Sequence, residues 1–157
     1  YRGNPNVENF DIVSVHGVTQ KGTKVQYQTA HPIRQAKIGP DSLYRFTKGE
    51  IRSQNGGFVG YLQDGSVIDY NTLDKGHRMQ KLYDVLECIR KGTSPVCTIQ
   101  TAMPHVAVFN ALSQYPIVDL PAERIMVWEQ DGDRFWSVLE LEKQMQLAYE
   151  QEQLLML

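Results

Sequence analysis

Four histidines, two cysteines and one short basic segment are the residues of this 157-residue chain whose chemistry could reach a ligand. The histidines are His16, His31, His77 and His105. None stands four positions from another, and no His, Cys, Asp and Glu group has the spacing of a metal site. His77 opens an amphipathic helix pattern and reads as solvated. His105 reads as a satisfied helix histidine. His31 is different: it ends a strand pattern, precedes Pro32, and is followed by Arg34 and Lys37. A basic segment leaving a strand has the donors to hold an anionic or hydroxyl-rich ligand. The plainer alternative is an ordinary polar loop.

Nucleophilic catalysis has no support. Neither Gly-x-Ser-x-Gly nor Ser-x-x-Lys occurs, and neither cysteine has a histidine beside it in sequence. The glycines form no Gly-x-Gly-x-x-Gly run and no Walker loop. Gly57 and Gly60 stand inside a strand-like run, where glycine marks a bulge more often than a phosphate cradle. Cys88 and Cys97 match no redox or metal spacing. They read as free thiols, which favours a reducing, cytoplasmic setting. The formal net charge is -2, which points to no nucleic-acid partner. The charge is uneven: residues 1–93 hold 13 Lys and Arg against 9 Asp and Glu, whereas residues 94–157 hold 3 against 9. No apolar run approaches the roughly 20 residues of a membrane span. The first residue is Tyr1, so the expectation is a cleaved chain or a piece of a longer protein.

The elements that must position these residues separate into two halves. Phe10 to Val18 reads as a strand apolar on both faces, and Val25 to Thr29 as its hairpin partner across Lys21-Gly22-Thr23. Pro32 ends that strand because it cannot donate to a ladder. Ser42–Thr47, Glu50–Ser53, Gly57–Gln63 and Ser66–Tyr70 follow as strands, the last two joined by an Asp64-Gly65 turn in which both residues tolerate positive φ. Helices are then expected over about 78–91 and 99–114. Met79, Leu82, Tyr83, Leu86 and Ile89 line one face of the first. Asp74 is its expected N-cap and Gly92 its stop, while Thr98 caps the second helix, with Pro104 kinking it or delaying its start. After an extended Ile125–Trp128 and Asp131-Gly132, a last helix is expected over about 134–155. It would carry two stripes, Val138, Leu141, Met145, Ala148 and Tyr149 on one side and Trp136, Leu139, Leu147 and Leu154 on another. Strands first and helices after argue for α+β: an open, mainly antiparallel sheet with helices packed on one face, in one domain over residues 1–157.

The stretch Leu82 to Leu112 resembles the helical segment near the end of the glucose–fructose oxidoreductase / inositol dehydrogenase / MocA family. Leu82, Asp84, Leu86, Ile89, Arg90, Gly92, Pro95 and Thr98 fill the family's helix, its Pro-containing link and the cap of its next helix. Residues 7–31 resemble that family's first sheet hairpin and residues 37–51 its next strands. The resemblance covers most of residues 7–114 and implies the C-terminal sheet domain of a two-domain NAD- or NADP-dependent enzyme. The cofactor would sit on an N-terminal dinucleotide-binding domain outside this chain, which would be its partner. The family's Gly-rich loop, its Glu-Lys-Pro run and its Asp-x-x-x-His run are absent. Asp11 and His16 are five apart, so the catalytic role is not carried onto them, and no catalytic, cofactor-binding or metal residue is assigned here.

On this reading Tyr27, His31 and Arg34 are the candidate contacts to a sugar or polyol, and the chain forms a homo-oligomer without nucleic acid or membrane. Two other functions stay open. One is a non-catalytic carbohydrate-binding module, which would need clustered Trp or Tyr; Tyr27, Tyr44, Tyr61 and Tyr70 stand on separate strands. The other is a structural oligomerisation module.

Overall fold

The computed structural model describes residues 1–34, 39–54, 56–72 and 78–157. Lys37, Asp74 and His77, singled out above, lie outside the described residues. The fold is α+β, with eight strands paired antiparallel and three α-helices among the described residues. The chain divides into two compact units, Tyr1–Ile38 with Ala107–Leu157, and Gly39–Val106. Among the described residues, β1 pairs with β2, β3 to β6 form a meander, and β7 pairs with β8. Local hairpins account for all of these pairings, so nothing in the strand pattern obliges them to join one sheet.

In the first unit, β1 (Ile12–Val18) and β2 (Lys24–Ala30) run in register from Ile12 opposite Ala30 to Val18 opposite Lys24. The loop closes through Thr19 N–H to the Thr23 carbonyl at 2.9 Å, with Gly22 at φ +82°. A left-handed residue at that point of a three-residue loop favours glycine. The start of β1 is buried and its outer end exposed, where apolar residues on both faces suggest a mostly buried strand.

The face carrying Ser14, Gln26 and Gln28 is tied to the chain's last residues. Gln26 Nε2 donates to the carbonyls of Gln153 at 2.7 Å and Ala148 at 3.3 Å, and Leu155 N–H donates to Ser14 Oγ at 2.9 Å. Ile12, Leu120, Val138, Leu141, Ala148 and Leu155 form the core beneath.

The segment from Ile125 onward corrects the expected helix over 134–155. β7 (Ile125–Gln130) and β8 (Asp133–Val138) form a hairpin, and α3 covers only Leu141–Glu150. Asp131 at φ 54° and Gly132 at φ 88° build a tight turn whose twist matches two antiparallel strands. The returning residues then stack Phe135 on Trp128 at 4.7 Å between ring centroids, and Val138 N–H reaches the Pro32 carbonyl at 2.9 Å. The second proposed stripe is therefore no helical face. Trp136 is on β8, Leu139 precedes α3, Leu154 follows it, and only Leu147 is helical.

In the second unit, β3 (Leu43–Phe46), β4 (Gly49–Gln54), β5 (Gly57–Leu62) and β6 (Val67–Asn71) lie in sequence order. Gly49, at φ 152°, is obligatory: a Cβ there would lie 2.3 Å from the Tyr61 carbonyl oxygen. The register shifts between Phe58 and Val59, which bears out a bulge beside Gly57 and Gly60. The Asp64-Gly65 turn needs positive φ only at Gly65, because the Asp64 carboxylate accepts the Ser66 N–H at 2.9 Å and shapes the loop from the side.

α1 (Gln80–Lys91) ends on Gly92 in the left-handed region, with Thr93 N–H donating to the Cys88 carbonyl at 2.9 Å. α2 (Ile99–Leu112) opens on a reciprocal cap. Thr101 N–H donates to Thr98 Oγ1 at 3.2 Å, and Thr98 N–H to Thr101 Oγ1 at 2.8 Å. The helix then continues through Pro104, forgoing one backbone bond. Among the described residues, no helix is long and apolar enough to cross a membrane.

Candidate functional site

The three sequence candidates lie along one stretch of the first unit. Tyr27 sits mid-strand on β2 opposite Val15, on the face that also carries Val13 and Val25, and is 46% exposed. His31 follows the strand directly. Its N–H donates to the Asp11 carbonyl at 2.9 Å, its carbonyl accepts Ile33 N–H at 2.8 Å, and its residue is exposed. Arg34 is exposed, and its N–H donates to the Glu142 carboxylate at 2.8 Å. Among the described residues, no hydrogen bond or ion pair joins the three side chains to one another. Glu142 thereby brings a carboxylate beside this stretch.

Asp11 fixes the backbone from which this stretch departs. Its carboxylate is buried and accepts N–H bonds from Gly3 and Asn4, each at 2.7 Å, so both oxygens are satisfied. Its carbonyl holds His31. Asp11 thus positions the candidate stretch and is not itself free for chemistry.

The second unit brings together residues that the strand pattern alone left scattered. Cross-strand pairing puts Tyr44, Ile51, Gly60 and Ile68 in one row, with Phe46 and Leu62 to one side and Phe58 to the other. The rings of Tyr44 and Phe58 lie 6.2 Å apart at 54°. A Cβ on Gly60 would come 3.0 Å from the Tyr70 ring, so that ring packs against the bare glycine. Tyr44, Phe58 and Tyr70 therefore share one apolar face, and Tyr44 (51%), Phe46 (61%) and Tyr70 (45%) are open to solvent.

The opposite face carries Arg45, Glu50, Arg52 and Tyr61. Glu50 pairs with Arg52 at 2.6 Å, and the Tyr61 hydroxyl donates to Gln54 Oε1 at 2.6 Å. Register was the missing signal. Once β4 is placed between β3 and β5, period-2 alternation assigns every residue to its face.

The helices carry further uncovered apolar surface. Leu82, Leu86 and Ile89 of α1 remain exposed, Ile89 at 70%. α2 carries apolar residues on every side, interspersed with Gln100, Thr101, His105 and Asn110, and contains no buried residue. No charged residue occurs from Gly92 to Val118. A helix of that composition ordinarily lies inside a core, whereas here its surface is open to solvent.

The described residues do not fit a dinucleotide. A pyrophosphate cradle needs a strand, a Gly-rich turn and a helix within a parallel unit, and all the strand pairs here are antiparallel. The start of α3 bears Glu140 and Glu142, whose charge opposes a phosphate. Among the described residues, no three His, Cys, Asp or Glu side chains gather to hold a metal ion. No known family model, curated protein or solved structure matches the chain.

Proposed function

We propose that this chain is the substrate-facing and assembly domain of an NAD- or NADP-dependent oxidoreductase acting on a sugar, polyol or related hydroxyl compound. The cofactor would be held by a dinucleotide-binding domain outside these 157 residues. The observation that carries the reading is α2, an uncharged helix with apolar residues on every side and no buried residue. Such a helix is stable in water only against another apolar surface. The resemblance of residues 82–112 supplies the kind of domain that would cover it. Tyr27, His31 and Arg34 would meet the substrate's hydroxyl groups, and the aromatic sheet face would meet a second copy of the chain.

The Tyr44, Phe58 and Tyr70 strip favours a second reading, a non-catalytic carbohydrate-binding module, because it gathers aromatic rings on one uncharged face. Calorimetric titration of the chain separates the two. Under the enzyme reading the chain binds neither NAD nor NADP at micromolar concentration, while the protein from the complete reading frame reduces one of them with a polyol or sugar. Micromolar glycan binding by the chain, lost in Tyr44→Ala and Tyr70→Ala, would favour the module. Micromolar NAD binding by the chain would overturn the division of labour.

A further inference from the structure

We draw no further inference here: the strongest candidate outside the surfaces already described, the stacked Trp128 and Phe135 of the β7–β8 hairpin with a buried indole N–H lacking a hydrogen-bond partner among the described residues, carries nothing because no second group beside that lone donor points to a ligand.

Discussion

Arg2 holds Asp119 through two parallel hydrogen bonds, Nε to Oδ1 at 2.5 Å and Nη2 to Oδ2 at 2.9 Å, joining segments 117 positions apart in the chain. The backbone reinforces the pair: Arg2 N–H donates to the Val118 carbonyl at 2.9 Å, and Leu120 N–H to the Arg2 carbonyl at 3.0 Å. Leu120 thereby enters the core beside Ile12. The Arg2 hydrogen bond holds the Asp119 carboxyl below its ordinary pKa, assisted by the guanidinium charge and opposed by partial desolvation.

The sign of the pH dependence follows. A carboxyl with a lowered folded pKa contributes stability that is fully present above the unfolded value of about 3.9, and that contribution is lost as pH falls through the lower folded value. Asp119→Asn should therefore lower the thermal midpoint at pH 7, and the gap to the parent should close below about pH 4. Thermal unfolding followed by circular dichroism over pH 2–7 checks this. A gap independent of pH would mean that the backbone bridge, not the ion pair, holds the segments.

Leu141 has no exposed surface and stands at the centre of the first unit's core. Leu141→Ala removes about three buried methyl or methylene groups and leaves a cavity, at a cost of about 2–5 kcal/mol. Urea unfolding should show that loss in the midpoint, with an unchanged slope. Leu147→Ala, on the exposed side of the same helix, should cost well under 1 kcal/mol in the isolated chain.

Gly49 tests the meander. Any Cβ there collides with the Tyr61 carbonyl at 2.3 Å, and the obstacle is backbone rather than a movable side chain. Gly49→Ala should cost at least about 2 kcal/mol and disturb the β4–β5 ladder. Amide exchange of Glu50 and Tyr61, partners across that ladder, would accelerate.

The hairpins of the first seventy residues were legible because alternation and turn chemistry agree there. Gly22, the Asp64-Gly65 pair and the bulge beside Gly57 all stand where those signals place them. The last helix failed because two signals conflicted. Trp136, Leu139 and Leu147 satisfy a helical spacing, while Asp131-Gly132 demands a returning strand. The turn prevails, since positive φ at two successive residues brings the chain back antiparallel before any helix can start. The aromatic face stayed hidden for another reason. Tyr44, Phe58 and Tyr70 lie on three strands, and only the pairing register tells which side each occupies. The pattern of helix starts and stops was readable at Thr98 and Gly92, yet it says nothing of what each helix packs against.

The Asp131-Gly132 turn makes the correction testable. Gly132, at φ 88°, should resist substitution: Gly132→Val forces a β-branched residue into the left-handed region, at about 1–2 kcal/mol. The near-ultraviolet signal of the stacked Trp128 and Phe135 should weaken with it, because those residues face each other across the ladder the turn closes. A helix over 134–155 would predict neither effect.

The proposed self-association through the aromatic face has a magnitude that decides how it must work. Tyr44, Phe46, Ile68 and Tyr70 are each 40–61% exposed. Covering them would remove roughly 400 Å² of surface per copy, taking about half of the 150–250 Å² that a large aromatic can bury. A specific dimer uses about 800 Å² per partner. The sheet face alone thus supplies about half of what is needed, and the exposed Leu82, Leu86 and Ile89 of α1 offer further apolar surface in the same unit. Phe46→Glu places a carboxylate within any such contact, at the most exposed ring of the face, and should shift the chain to monomer. Ile89→Glu should weaken association less if the sheet is the centre and the helix the rim. Light scattering at micromolar concentration reads both, and Arg45→Glu on the opposite, charged face serves as the control that leaves assembly intact. A parent chain that is monomeric at tens of micromolar would remove the second copy as the cover for this face. Equal loss in the Phe46 and Arg45 variants would show that charge on the unit as a whole, and not the aromatic face, controls association.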